Sequence, residues 1–341
     1  MNKRRPPSRV SATSRAAATA HRKQRLMLIG TMVLALVIIS CGVGYGISSL
    51  TASAEATRTA DGAAALMATI HSDTPRGPDA FKGISLIGKA AIVYDLSTGQ
   101  TLYAQDENAS LPLASITKLL TLYAASDVLT ASSSIPMTTN ALSETNDTAD
   151  TGFRIGEAFA FKDIARLTLA ASSNAGAEAI AEAATAQQGS TVQSMLSAAT
   201  QELHLTQTHA TNSSGLDVNT EVSGGYGSAH DVAILAGALV KKSPEIAGAT
   251  ALPFVSVRSS DGMTHNFKNT DISVTHFPNV LLSKTGYTDL AGGNLVIVYD
   301  AGIQHPIAVV VLGSTETGRF SDMQQLTNAT LAHFAGVASP H

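Results

Sequence analysis

The chain has 341 residues, with 22 Lys and Arg against 26 Asp and Glu, one cysteine and no tryptophan. That length suits one large domain, or two small ones, plus a targeting segment. The lone cysteine, Cys41, excludes a disulfide framework, a cysteine nucleophile and a thiolate metal site from everything after it. Residues 1–25 carry eight basic side chains and no acid, residues 26–50 carry no charge, and the remainder holds 14 basic residues against all 26 acids. A basic head, an apolar plug and an acidic body describe membrane topology and speak against nucleic acid as a partner.

Residues 1–25 read as a cytoplasmic basic tail. Leu26 to Leu50 is long and apolar enough to cross a bilayer, which needs about 20 residues. The positive-inside rule then places everything after Leu50 outside. Its length favours an uncleaved transmembrane signal anchor over 26–50, hence a single-pass protein of the cell membrane with a cytoplasmic N-terminus. Cleavage after Ala54 and a lipoprotein signal at Ile38-Ile39-Ser40-Cys41 compete with it, and all three leave the body on the same side. Residues 51–82 are rich in Ala, Thr, Ser and Asp and read as a linker, with a short helix around Ala63–Ile70.

An ordered body is expected over residues 83–337. Ala90–Tyr94 and Thr101–Ala104 read as strands of a hairpin around Ser97-Thr98-Gly99. Helical spacing dominates from Ser115 to about Ala238, with segments at Lys162–Ala171, Ala175–Ala186 and Val192–Leu203. Val232–Lys242 is a further helix, with Ser228-x-x-Asp231 as an acidic capping box. Strands return at Val280–Thr288, Leu295–Tyr299 and Ile307–Gly313, and a last helix covers about Ser321 to Phe334. This order predicts an α/β protein of the α+β kind. One antiparallel sheet of about five strands is built from both ends of the body, flanked by helices, with a helical lobe inserted and a site between the two.

Three short strings stand in order: Ser115-Ile116-Thr117-Lys118, Ser172-Ser173-Asn174 and Lys284-Thr285-Gly286. A chain of this composition should show about one S-x-x-K and one S-x-N by chance but only about 0.1 K-T-G, so the set is informative where each member is not. Pro112 and the spacing of Ile116, Leu119, Leu120 and Tyr123 put Ser115 in a first helical turn, with Lys118 on the same face. A helix start favours developing negative charge. A lysine removes a serine proton only when neutral, and lowering its pKa from about 10.4 to about 7 costs roughly 3–5 kcal/mol, to be supplied by burial and a neighbouring cation such as Lys284. The bland reading is a helix cap with a solvated lysine. Lys284 is out of place in the apolar run Val280-Leu281-Leu282-Ser283 unless that strand lines a cleft; otherwise it guards a sheet edge. Gly286 removes a side chain where a ligand backbone would come close. His204, His209 and His230 are scattered without metal-ligand spacing, so neither a metal nor any other cofactor is expected. His305 and His333 read as loop and surface residues, and Asp217 as a residue that fixes a loop.

With Tyr94-Asp95-Leu96-Ser97-Thr98-Gly99, Asn212-Ser213-Ser214-Gly215-Leu216-Asp217 and Tyr287-Thr288-Asp289 added to the three strings, the chain from about Gly83 to Gly336 resembles the low-molecular-mass penicillin-binding proteins that act as serine-type D-alanyl-D-alanine carboxypeptidases. The resemblance implies the β-lactamase/DD-peptidase fold. It implies peptidoglycan stem peptides ending in D-Ala-D-Ala as substrate and β-lactam antibiotics as covalent inhibitors. It makes Ser115 the nucleophile, Lys118 its base and Ser172 a proton relay to the leaving amine. Asn174 would hold the substrate amide, and the amides of Ser115 and Tyr287 the oxyanion. Lys284, Thr285 and Arg319 would receive the terminal carboxylate, unless Arg319 is a helix-flank residue with its head in water. The chain departs from the family at His230, where Arg is frequent, and at Ala175, where Asp often follows the S-x-N string. No amphipathic anchor follows Gly336, so attachment is expected to rest on the N-terminus. A β-lactamase is disfavoured because no acid lies between Leu203 and Leu216. A transpeptidase of the same fold would carry the same strings. So would a non-catalytic wall-binding relic, although a relic has no chemical reason to keep Lys118.

Overall fold

The computed structural model describes residues 79–143, 152–302 and 304–336. The basic tail, the apolar segment 26–50, Cys41 and the expected helix at 63–70 lie outside the described residues. Those described fall within one compact unit, Gly77–His341. Among them, no helix is long and apolar enough to cross a membrane. A turn at Asp79, ahead of the expected Gly83, precedes the sheet, and Asp79 accepts the Phe81 amide there at 3.0 Å.

Five strands form the main sheet: β1 (Ala90–Asp95), β2 (Thr101–Gln105), β3 (Val280–Thr288), β4 (Gly292–Asp300) and β5 (Pro306–Ser314). Their order is β3-β4-β5-β1-β2, antiparallel throughout, so the first strand of the body pairs with the last. The β1–β2 turn forms because Asp95 accepts the amides of Ser97 (2.8 Å) and Thr98 (3.1 Å). The same carboxylate takes His305 Nε2 at 2.7 Å, so His305 is a tie between strands as well as a loop residue.

The apolar runs of β4, β5 and β1 do not alternate with polar residues because both faces of the sheet are covered. On one face Ile92, Val296, Val298 and Val310 pack with the helical lobe. On the other, Val93, Leu295, Ile297, Val309 and Val311 pack under Met323 and Leu326 of the last helix. Six helices of at least nine residues are described: α1 (Thr117–Ala125), α2 (Phe161–Ala170), α3 (Asn174–Gln188), α4 (Val192–Glu202), α5 (Ala229–Lys242) and α6 (Gly318–Ala335). Helix α5 starts three residues before the expected Val232. Ser228 Oγ accepts the Asp231 amide at 3.1 Å, but the Asp231 carboxylate does not complete a capping box. It turns to the Gln207 amide (2.8 Å) and Thr208 Oγ1 (2.9 Å), fastening the loop that follows α4 instead.

Sequence reasoning passed over a hairpin, Phe254–Arg258 with Thr264–Lys268. Its inward residues include His265, which looks polar and hides the alternation. His265 Nε2 lies 2.8 Å from Glu157 Oε1, both residues buried, with the rings of Phe153 and Phe159 against the imidazole. Burial alone would push the Glu157 carboxyl up, but hydrogen bonds from His265, the Arg154 amide and Ser259 outweigh it and hold it below the usual glutamate range. A depressed carboxylate stabilises the fold above the pKa of an unfolded glutamate and ceases to as pH falls through the folded value. Glu157→Gln should therefore cost about 1–3 kcal/mol at pH 7 and progressively less below about pH 4. Urea unfolding across that range checks it, and a penalty that does not shrink in acid would remove the charge from the account.

Candidate active site

Pro112 ends a two-residue bridge, Leu111–Pro112, that pairs with Tyr226–Gly227. The chain then turns sharply through Ala114, whose φ of 48° is left-handed, into a 3₁₀ turn over Ala114–Ile116 that leads into α1. Ser115 thus sits just before the regular helix and Lys118 in its first turn. A left-handed alanine is costly, by about 1 kcal/mol or more, and such strain gathers at working sites. Lys118 is fully buried while Ser115 keeps partial access to solvent. Around Lys118 Nζ stand Ser115 Oγ at 2.8 Å, Asn174 Oδ1 at 2.7 Å and the Ser214 carbonyl at 2.9 Å. The reading of Lys118 as a solvated helix-cap neighbour is therefore excluded.

Ser172 follows α2 and is also left-handed, with φ 63°. Ser173 caps α3 by accepting the Gly176 amide at 2.8 Å, which makes Asn174 the first residue of that helix. This turn spreads the outer members of the S-x-N string in two directions. Asn174 reaches Lys118, and Ser172 Oγ accepts from Lys284 Nζ at 2.8 Å. Lys284 does lie on an edge strand, as the guarding role would require, yet it is 1% exposed. With a period of two, Leu282, Lys284 and Gly286 share the face of β3 turned to the helical lobe.

Gly286 serves a different purpose from the one expected. A Cβ there would stand 2.7 Å from the Leu113 carbonyl and 3.2 Å from Ile116, so the glycine lets β3 close on the turn of the chain itself that carries Ser115. Tyr287, the next residue, is half exposed beside it. Arg319, at the second position of α6, is 7% exposed and its Nη1 donates to the Gly286 carbonyl at 2.8 Å, so its head is not in water. Burial lowers the pKa of its guanidinium, against the opposing charges of Glu316 and Asp271. Its Nε has no acceptor among the described residues. Thr285 is buried, with its hydroxyl 2.6 Å from that of Thr270.

Two contributors were not singled out in the sequence. The Ser214 carbonyl reaches Lys118 because Asn212 Oδ1 ties back the Gly215 amide at 2.7 Å and Gly215 adopts φ 77°. The S-S-G string was the available signal, although a backbone carbonyl leaves no mark in residue identity. Thr270 has no such signal at all. Asp217 accepts from Thr288 Oγ1 at 3.1 Å and fixes its loop to the end of β3, as expected. His209 stacks on Tyr226 and His230 meets the Tyr94 ring edge-on. No group of three or more His, Cys, Asp or Glu among the described residues is placed to hold a metal ion.

This arrangement is a serine with a buried amine at its hydroxyl, facing a second buried lysine through a shared turn. The sequence profile of the D-alanyl-D-alanine carboxypeptidases matches residues 79–316. The chain belongs to that family. It is a serine-type hydrolase with the penicillin-binding-protein fold. It is 29% identical to the D-alanyl-D-alanine carboxypeptidase DacB2 of Mycobacterium tuberculosis over 234 residues, 67% of this chain and 75% of that one. It is 28% identical to DacF of Bacillus subtilis, over 72% of this chain and 62% of that one. The solved structure of penicillin-binding protein D2 from Listeria monocytogenes, in its ampicillin-bound form, superposes with a TM-score of 0.62 at 22% identity, covering 72% of this chain and 98% of that one.

If Lys118 moves the serine proton, Lys118→Met should lower D-alanine release from an acyl-D-Ala-D-Ala peptide by about 10²–10⁴. Circular dichroism should show the fold retained. Release within a few-fold of the parent enzyme would take Lys118 out of the proton path.

Proposed function

We propose that this carboxypeptidase trims the terminal D-alanine from peptidoglycan stem peptides through an acyl-enzyme on Ser115, and that β-lactams acylate the same serine. The observation that carries this reading is the shell of Lys118. A neutral amine has two hydrogens and one lone pair. Asn174 Oδ1 and the Ser214 carbonyl are placed to take the hydrogens, and the lone pair then faces Ser115 Oγ.

In this mechanism Lys118 accepts the Ser115 proton as Oγ attacks the penultimate carbonyl carbon. The amides of Ser115 and Tyr287 would receive the oxyanion. Collapse of the tetrahedral intermediate breaks the C–N bond, and the leaving amine takes a proton by way of Ser172, which Lys284 holds in place. Water, activated by the same Lys118, then attacks the acyl carbon and restores Ser115. Lys284, Thr285 and Arg319 supply the cations and the hydroxyl that a terminal carboxylate needs, in a body otherwise rich in acids. We further propose that residues 26–50 hold the enzyme on the cell membrane with the catalytic body outside.

Fluorescent penicillin tests both halves. It should label the protein in the membrane fraction, Ser115→Ala should carry no label, and deletion of residues 26–50 should move the labelled band to the soluble fraction. A label that survives Ser115→Ala would place the nucleophile elsewhere, and a deletion variant still on the membrane would overturn the anchor. Analysis of a pentapeptide digest, with and without an added amine acceptor, separates hydrolysis from transpeptidation.

Arg319→Ala should lower hydrolysis of a D-Ala-D-Ala peptide by roughly 30- to 1000-fold, the worth of a charge-assisted contact in a partly dry site. An ester without the carboxylate should lose much less. Equal losses on the two would make Arg319 a brace for the Gly286 carbonyl rather than a carboxylate receptor.

A further inference from the structure

Thr270 lies outside the three strings, on the segment between the hairpin and β3, yet its hydroxyl meets that of Thr285 in the K-T-G string. The two hydroxyl oxygens are 2.6 Å apart. The backbone on which Thr270 sits is tightly held. Its amide donates to the Ala170 carbonyl at 3.0 Å, and Asn269 Nδ2 donates to the carbonyls of Thr250 (2.7 Å) and Leu252 (2.9 Å). Next to it, Asp271 accepts from Ser283 Oγ at 2.6 Å, which locks the segment to β3 one residue before Lys284. What remains adjustable is the direction of two hydroxyl protons.

Each threonine has one proton to give and two lone pairs. If Thr285 donates to Thr270, the proton of Thr270 has the Ala170 carbonyl as its acceptor, at a long 3.4 Å. If Thr270 donates to Thr285, the Thr285 proton is left for another acceptor. The first arrangement suits an empty site. The second leaves a donor for an incoming anion, and the bond it gives up is the weak one. A carboxylate therefore recruits Thr285 at little cost, provided that Thr270 can reverse.

We propose that Thr270 is a positioning residue for the substrate's terminal carboxylate, its hydroxyl turning to donate to Thr285 so that Thr285 donates to the carboxylate. This deepens the carboxypeptidase reading and rests on it. The experiment compares two esters with the same acyl-D-alanyl group, one of D-lactate, whose leaving group carries the carboxylate, and one of a simple alcohol. The readout is the ratio of their kcat/KM values. In the parent enzyme the lactate ester should be preferred. Thr270→Val, close in shape but without the hydroxyl, should shrink that preference about tenfold, the scale of one hydrogen bond to a charged group. Thr270→Ser should restore it to within about threefold of the parent. Thermal unfolding accompanies each variant, and Thr270→Ala reads the same ratio if the valine variant does not fold. A parent enzyme indifferent to the carboxylate would overturn the substrate reading and this proposal with it. A parent that discriminates, with a valine or alanine variant that discriminates as well, would overturn the role of Thr270 alone. So would a serine variant no better than valine, because the effect would then belong to packing.

Discussion

Two lysine side chains, Lys118 and Lys284, are taken out of water within one site, at 0% and 1% exposure. Lysine is among the residues least often buried, because its head group is expensive to desolvate. Here the expense is met by a turn of three residues. Asn174 accepts from one lysine and Ser172 from the other, while the carbonyls of Ser214 and Thr285 take a further hydrogen from each. The shell of Lys118 suits an ammonium, which needs three acceptors. It suits the amine equally well, since Ser115 can become the donor. Either form would find partners in that shell, which is what the proposed role of a base hidden from solvent requires.

The rest of the architecture keeps those atoms in register. Lys284 faces the lobe only because β3 pairs with β4 as it does, Lys284 opposite Val296 and Gly286 opposite Asn294. A slip of one residue would turn the lysine to the other face. Asn294 in turn donates to the Pro112 carbonyl at 3.0 Å and accepts the Gly313 amide at 2.8 Å, tying the central sheet to the segment that leads into Ser115. Gly286 lets the strand close on the Leu113–Ile116 turn, which contains the left-handed Ala114, and Ser172, left-handed as well, stands between α2 and α3. Strain of this kind persists only where surrounding contacts over-determine it. The helices and sheet thus act as the clamp, and the strained turns as what is clamped.

Much of this was legible in the residue string. The strand Val280–Thr288 and the start of the helix at Val192 follow from periodicity alone, because a buried strand and an amphipathic helix leave regular marks. Ser115 and Lys118 were marked by spacing, since a turn of helix converts a fixed spacing into a fixed geometry, and Lys284 by its charge in an apolar strand, whereas the roles of Ser172 and Asn174 followed only from the family resemblance. The hairpin Phe254–Lys268 was not, because its inward position 265 is a histidine whose burial depends on Glu157, a partner 108 residues away. Thr270 was not either. A threonine in a loop carries no local sign that its hydroxyl will meet another from 15 residues further on.

By itself, then, the sequence determined the strands of the main sheet, the longer helices, their order, and a set of side chains able to do acyl-transfer chemistry, because propensity, periodicity and chemical type are local properties. Only the tertiary structure decided which carbonyl would face Lys118, which glycine serves packing rather than ligand, and that Arg319 is buried against β3 instead of solvated. Those outcomes depend on contacts between segments distant in the chain. Backbone carbonyls look alike in any sequence, and a glycine's neighbours are known only once the strand and the turn it separates have met.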